Sequence, residues 1–279
     1  MSASSNPSFA LDDHQRFREQ LDQWIADNWD PTITLRSWWQ RLADAGLTVP
    51  TWPRTLGGLG SVASLQAVIE DQLAGAGVIA PPLADDGIRV VGPALREHGT
   101  PQQISRFVPS LLNGSEAWAI LLDERVDDDL AEIASTAAID WKTVSLDGLK
   151  LCTRPVAHAK HALTLFRSDP ASTGRVGLTC FITDLTDPAV TYPSFNTVSF
   201  SHVRLSVDSA LGAVGNGWNV AKTVLPYLNR SLAGRIRRGM VHVTPGERAG
   251  NLDRSVGDLV IERARMSDAN VVDRRAPRD

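Results

Sequence analysis

The chain has 279 residues, 43% of them hydrophobic, and its 28 basic and 32 acidic side chains leave a net charge of −4. That length suffices for one large core or two to three smaller ones, and the near-neutral balance excludes an electrostatic case for DNA or an anionic membrane as partner. With only Cys152 and Cys180, neither a disulfide framework nor a CxxC metal site can be built, and a reducing compartment fits. The opening MSASSNPSFALDDHQRF has neither a basic n-region nor an apolar h-region, and no stretch approaches a bilayer span. A soluble cytoplasmic protein without nucleic-acid or membrane partners is expected.

From Leu11 to about Leu112 apolar residues recur at helical spacing, as in FREQLDQWIADNW and LRSWWQRLADAGL, interrupted by Pro and Gly clusters at 50–60, 75–82 and 99–101. This pattern predicts a helical domain over 1–114. The texture then changes to short runs rich in Val, Thr, Leu and Phe, separated by Asp-Gly, Ser-Asp-Pro and Thr-Asp-Pro turns. LTLFR, GLTCFITDL, AVTYPSF and TVSFSHVRL read as strands of a compact β domain over 115–213. Gly217 opens a helix through WNVAKTVLPYLNRSLAGRIRRG, which Pro226 kinks rather than ends. After the turn at 244–247, RAGNLDRSVGDLVIERARM reads as one more helix, which makes a helical region over 214–266 and leaves 267–279 as a polar, disordered tail. Helices, then strands, then helices make an α+β protein, a class that alone permits many functions.

Four segments in one order narrow it: TWPRTLGGLG at 51–60, VGPALREHGT at 91–100, LTLFRSDP at 163–170 and VGNGWNVAKTVLPYLNR at 214–230. Together they resemble an acyl-CoA dehydrogenase over roughly residues 10–265. Trp52, Pro53, Gly57, Gly58 and Gly60 hold the places of the family's Pro-x-Trp-Pro-x-x-x-Gly-Gly-x-Gly turn, although an ordinary Gly-rich turn with Trp52 as core anchor also accounts for them. Gly99, Thr100, Pro101 and Gln103 fit the family's Gly-Thr-x-x-Gln turn, and GNGW its Gly-x-Gly-Trp helix start. LKLCTRPVAHAKHALTLFRSDP has the shape of the strand pair at the heart of the family's β domain. The resemblance implies an N-terminal helical domain, a central β-barrel-like domain and a C-terminal helical domain, here truncated. It also implies FAD and the α,β-dehydrogenation of an acyl-CoA thioester.

That reaction needs a base for the α-proton, a flavin to take the hydride, and hydrogen bonds to the thioester carbonyl. In the family a loop approximating Thr-Glu-Pro-x-Ala-Gly-Ser-Asp clamps the flavin. The matching stretch LDERVDDDLAE puts Leu122 at the threonine, Asp123 at the glutamate and Glu124 at the proline, and replaces the Gly-rich part by Arg125, Val126, Asp127 and Asp128. Its carboxylates would repel a pyrophosphate, and without the family LDERVDDD is a solvated acidic turn, ahead of a metal site. At the second clamp, Trp-x-Thr or Trp-x-Ser in the family, stand Cys152 and Arg154; Thr153 serves only if the register slips by one residue. Cys152 is either a reactive thiol or a small core residue. His158 and His161, three apart, have no third ligand, so no metal site is expected and surface or turn positions are. At the base position stands Asn229, whose amide cannot accept a proton, so no catalytic residue is expected on this chain. The adjacent Arg230 fits the family arginine that steadies the active-site wall, or else is a salt-bridging helical residue.

The resemblance is to the incomplete subunit of actinobacterial heteromeric acyl-CoA dehydrogenases, enzymes for steroid or other bulky acyl-CoA thioesters. With little of the second helical domain left, the apolar faces carrying Val220, Val224, Leu225, Leu228, Leu232, Leu259, Val260 and Ile261 are expected to need a partner. That partner would be a complete acyl-CoA dehydrogenase subunit, in a homo- or hetero-oligomer, sharing FAD and supplying the base. The isolated chain is expected to be inactive. Arg235, Arg237 and Arg238 would meet a phosphate or an acidic partner, or form a solvated helix face. The alternative is a non-catalytic scaffold or acyl-CoA-binding pseudoenzyme without flavin.

Overall fold

The computed structural model describes residues 9–83, 86–125, 129–152, 156, 158–228, 243 and 245–273, apart from the side chains at 245, 246, 249 and 265–273. The chain forms two compact units, one of Met1–Ala84, Leu112–Ser115 and Leu232–Asp279, the other of Asp85–Leu111 and Glu116–Ser231.

In the first unit, α1 (His14–Asn28) starts at Asp13, whose Oδ1 accepts from the amides of Gln15 and Arg16 and so satisfies two donors of the first turn. Phe17, Leu21 and Ile25, four residues apart, make its buried side. In α2 (Leu35–Asp44) the adjacent Trp38 and Trp39 are both buried, because each indole N–H finds a carbonyl, Ile79 O at 2.7 Å and Ala80 O at 2.8 Å. Ahead of α3 (Ala63–Gly75) lies the Gly-rich turn. Trp52 is buried there, and a Cβ on Gly58 would stand 2.1 Å from the Trp52 carbonyl oxygen, which explains why glycine is needed at that point.

The stretch read as a single late helix is two, α7 (Pro245–Asn251) and α8 (Val256–Asp273). Ser255 starts the second by accepting the Asp258 amide at 3.2 Å, and the break is fixed by bonds from the Leu35 amide to Arg254 O and from the Val256 amide to Ile33 O. Val243, Val256 and Leu259 thereby complete the core of α1 to α3. The tail expected from 267 begins as helix instead: α8 runs to Asp273, since no Gly or Pro stops it before Pro277.

The second unit opens with a π-helical turn at Gly87–Val91, α4 (Gly92–His98) and α5 (Pro101–Leu112). Thr100 and Gln103 cap α5 reciprocally: the Gln103 amide donates to Thr100 Oγ1 at 3.1 Å, and Gln103 Oε1 accepts the Thr100 amide at 3.0 Å. Eight strands follow: β1 (Trp118–Leu121), β2 (Thr136–Asp140), β3 (Thr143–Leu151), β4 (His161–Arg167), β5 (Leu178–Asp184), β6 (Val190–Ser194), β7 (Thr197–Ser206) and β8 (Ala210–Leu211). Their order is β6-β7-β3-β2-β4-β5-β8, with β1 parallel to β4. Gln103 Nε2 reaches the last of them, donating to the carbonyls of Asp208 and Ala210, both at 2.9 Å.

Although β7 and β4 are three places apart in that order, the Phe200 and Phe166 rings lie 5.4 Å apart at 86°. The sheet therefore curls round a shared core that includes Leu146, Phe166, Phe181, Val198 and Phe200, which is the barrel-like form expected. The segments LKLC and LTLFR are not direct partners as expected: β2 lies between β3 and β4. Arg167 explains the FRSDP motif, since its guanidinium donates to the carbonyls of Ala131, Ile133, Gly174 and Val176 and ties two loops together.

After the sheet, α6 (Gly217–Leu228) starts at the GNGW segment, where a Cβ on Gly217 would stand 2.7 Å from Thr179 Cα on β5. Pro226 lies inside the helix without ending it. Val220 and Val224 are fully buried. The expectation that these faces lack cover is thus corrected: Val220, Val224 and Leu259 are buried and Leu225, Leu228 and Val260 half-buried, leaving Ile261, 51% exposed, as the open one among them; Leu232 lies outside the described residues. The cover comes from within each unit, α6 against β5 and α4, and α8 against the core of α1 to α3. Among the described residues no helix is long and apolar enough to cross a membrane.

Candidate functional site

The two family clamp positions meet where the chain leaves β1 and ends β3. Leu122 is 1% exposed and Cys152 5%, so both side chains point into the protein, and Cys152 belongs to the sheet core as a small apolar residue rather than a reactive thiol. The Asp123 carbonyl accepts the Leu151 amide at 2.8 Å, and the Cys152 amide donates to Asn196 O at 2.8 Å. Thr153, Arg154, Asn229 and Arg230 lie outside the described residues, as do Val126, Asp127, Asp128, Arg235, Arg237 and Arg238.

Between these positions is a group that the sequence reading passed over. Lys150 is 0% exposed, with Nζ 2.9 Å from Glu124 Oε1 and 4.8 Å from the centre of the Phe166 ring. Burial pushes the lysine below its ordinary range, against the pull of Glu124. Burial would raise the Glu124 carboxyl, but Lys150 and hydrogen bonds from Ser135 and Ala134 hold it below the usual range. Glu124 is therefore not part of a solvated acidic turn, as expected, but the counter-ion of a buried lysine. The misreading arose because a strand lysine at an alternating inward position carries no mark in sequence of what neutralises it.

A flavin clamp requires small residues, backbone amides and hydroxyls turned toward the ring. At Leu122, Asp123 and Cys152 the chain offers two inward apolar side chains and a carbonyl already engaged. The described residues at these positions do not fit FAD.

A second polar cluster lies at the start of β4. Glu116, between α5 and β1, accepts from Lys160 Nζ at 2.6 Å, Ser110 Oγ at 2.8 Å and Arg106 Nη1 at 3.3 Å, and lies 3.2 Å from His161 Nε2. Burial works against its charge, yet the hydrogen bonds from Lys160, Ser110 and Arg106 hold the carboxyl at about 2. The expected surface or turn placement holds for His158 but is corrected for His161, which is buried beside Trp118 and Phe107 and kept below the ordinary histidine range by that burial. Among the described residues no group of three or more His, Cys, Asp or Glu is placed to hold a metal. An open groove of about 420 Å³ lies between Val156, Ala159, Leu185, Tyr192 and Phe195 at the end of the sheet. Its hydroxyls are already engaged, Tyr192 with Leu185 O and Thr186 with Asp184.

Residues 12–115 match the family described as acyl-CoA dehydrogenase, N-terminal domain. The chain is 30% identical to acyl-CoA dehydrogenase IpdE1 of Mycobacterium tuberculosis over 245 residues, covering 78% of this chain and 63% of that protein. It is 34% identical to acyl-CoA dehydrogenase FadE34 of the same organism over 198 residues, covering 66% of this chain and 27% of that one. Its fold is similar to the Tcur3481–Tcur3483 steroid ACAD, with a TM-score of 0.60 at 23% identity, covering 81% of this chain and 63% of that chain. It is also similar to the ChsE4–ChsE5 complex from Mycobacterium tuberculosis, with a TM-score of 0.58 at 23% identity, covering 80% and 62%. The chain thus spans less than two thirds of the length of these relatives. In sequence and in fold the chain belongs to the acyl-CoA dehydrogenase family.

Proposed function

We propose that the chain is one subunit of a heteromeric acyl-CoA dehydrogenase, in which a complete partner subunit supplies the base and the flavin contacts for α,β-dehydrogenation of a bulky acyl-CoA thioester. The observation that carries this reading is the inward burial of Leu122 and Cys152 at the positions where family members turn a hydroxyl and an indole toward the flavin. Asn229 at the base position supports it from the sequence side. Two solved structures similar in fold have names that pair two chains, ChsE4–ChsE5 and Tcur3481–Tcur3483, and the second is called a steroid ACAD. In this reading Arg230 steadies a wall of the shared site, and the protein works in the cytoplasm.

The test is expression of the chain alone and together with a complete acyl-CoA dehydrogenase subunit, with flavin absorbance measured on each purified product. A colourless single chain and a yellow complex are expected. Flavin bound in equal amount by the single chain would overturn the assignment, and a colourless complex would favour a scaffold or acyl-CoA-binding pseudoenzyme.

A further inference from the structure

We propose that the Thr48 hydroxyl binds a single ordered water molecule, which ties the segment after α2 to α3. Thr48 is 2% exposed, and its Oγ1 is buried with no hydrogen-bond partner among the described residues. A valine of the same shape would avoid the cost of an unpaired buried hydroxyl, so threonine at this point calls for a partner. The neighbouring carbonyls cannot serve: Val49 O accepts the Trp52 amide, and Pro50 O accepts the amides of Leu59 and Ser61 together with Ser61 Oγ. Thr48 instead lines a cleft with Pro50, Gln66, Glu70, Pro81 and Leu83. The cleft leaves about 10 Å³ for the centre of a water molecule, enough to seat one, and this sets the size of the ligand.

A water held in such a place needs about two to four polar partners. Thr48 Oγ1 is the first. On α3, Gln66 Nε2 donates to Glu70 Oε1 at 3.1 Å, which turns the amide nitrogen toward the carboxylate and leaves Gln66 Oε1 as an acceptor. The carboxylate oxygens of Glu70 can each take more than one hydrogen. The water accepts from the Thr48 hydroxyl and donates to Gln66 Oε1 or Glu70, so that a residue after α2 and a polar pair on α3 share one bridge. Leu47, Ile69 and Leu73, all buried, line the apolar remainder of the cleft. The site concerns this chain's own core and holds whether or not the heteromeric reading does.

The test compares the full chain, wild type and Thr48→Val, in urea denaturation. The substitution keeps the shape of the side chain and removes the hydroxyl, so the water loses its donor and its other partners lose the bridge. The unfolding equilibrium constant is expected to rise by about tenfold. A Thr48→Val chain as stable as wild type, or more stable, would overturn the proposal, since removing a hydroxyl that has no partner relieves a cost instead of adding one. High-resolution crystal structures give the second measurement. Wild type and Thr48→Ser are expected to show an ordered water within hydrogen-bond distance of the residue 48 hydroxyl and of Gln66 Oε1 or Glu70, and Thr48→Val to lose it. In the wild type, the absence of such a water, or a protein group bonded to that hydroxyl in its place, would equally overturn the site.

Discussion

Replacing Glu116 by Gln removes the most strongly held carboxylate among the described residues, and its effect can be worked from the structure. The side chain is 13% exposed, and its carboxyl is lowered from 4.5 to about 2. At about 1.4 kcal/mol per pH unit this corresponds to roughly 3 kcal/mol at neutral pH. Two of its cations stand partly in water, Arg106 at 53% and Lys160 at 42% exposed, and screening there reduces the expected loss to about 2 kcal/mol. The folded-state value lies below the unfolded one, so this stability is fully present above about pH 4.5 and is lost as pH falls through 4.5 toward 2. Urea denaturation of wild type and Glu116→Gln at about pH 7 and at about pH 3 reads it directly. A difference of about 2 kcal/mol at the higher pH, shrinking by more than half at the lower, is expected. An equal difference at both, or none at neutral pH, would refute the reasoning. Because Glu116 pulls the His161 value upward, the same substitution is expected to move the imidazole titration, followed by NMR, to lower pH.

Three further outcomes are expected. Gln103→Ala strips the α5 cap and leaves the Asp208 and Ala210 carbonyls without this donor, for a loss of about 2–3 kcal/mol in chemical denaturation; under about 0.5 kcal/mol would contradict the role given to the side chain. Gly58→Ala forces a Cβ toward the Trp52 carbonyl and should cost about 1–3 kcal/mol, more than Gly75→Ala, whose added Cβ meets no atom within 4 Å; the reverse ranking of melting temperatures would count against the turn geometry. The purified single chain should not turn over any acyl-CoA with a dye acceptor, and measurable turnover would remove the case for a partner-supplied base.

Much of the fold was legible because periodicity and turn chemistry are local. The helical spacing of Phe17, Leu21 and Ile25 and the alternation through β7 both appear directly in the letters. What escaped were elements with short or atypical signals. β1 and β8 have only four and two residues, and Ser255 was overlooked as the start of a second late helix. At the candidate site, the loss of the family's clamp residues was readable position by position, but their surroundings were not. Whether Glu124 faced water or Lys150 depends on where the end of β3 passes the exit of β1, 26 residues apart in sequence. His161 was misplaced for the same reason, since its carboxylate neighbour Glu116 lies 45 residues away. The need for a partner was inferred from helix faces that the protein covers largely with its own residues, so those faces no longer support the heteromeric reading, which is left with the clamp positions, Asn229 and the two-chain fold neighbours.

The return of α8 to the core of α1 to α3 also dictates an order of events during synthesis. Val243, Val256 and Leu259 are translated after every strand of the sheet, yet they finish a core begun by Phe9 and Phe17. The leading helices leave the ribosome with an apolar side still open and must wait for more than 150 residues of later chain, an interval in which every strand of the sheet is made. The core of α1 to α3 is thus completed only after the sheet has been translated, although its helices precede every strand.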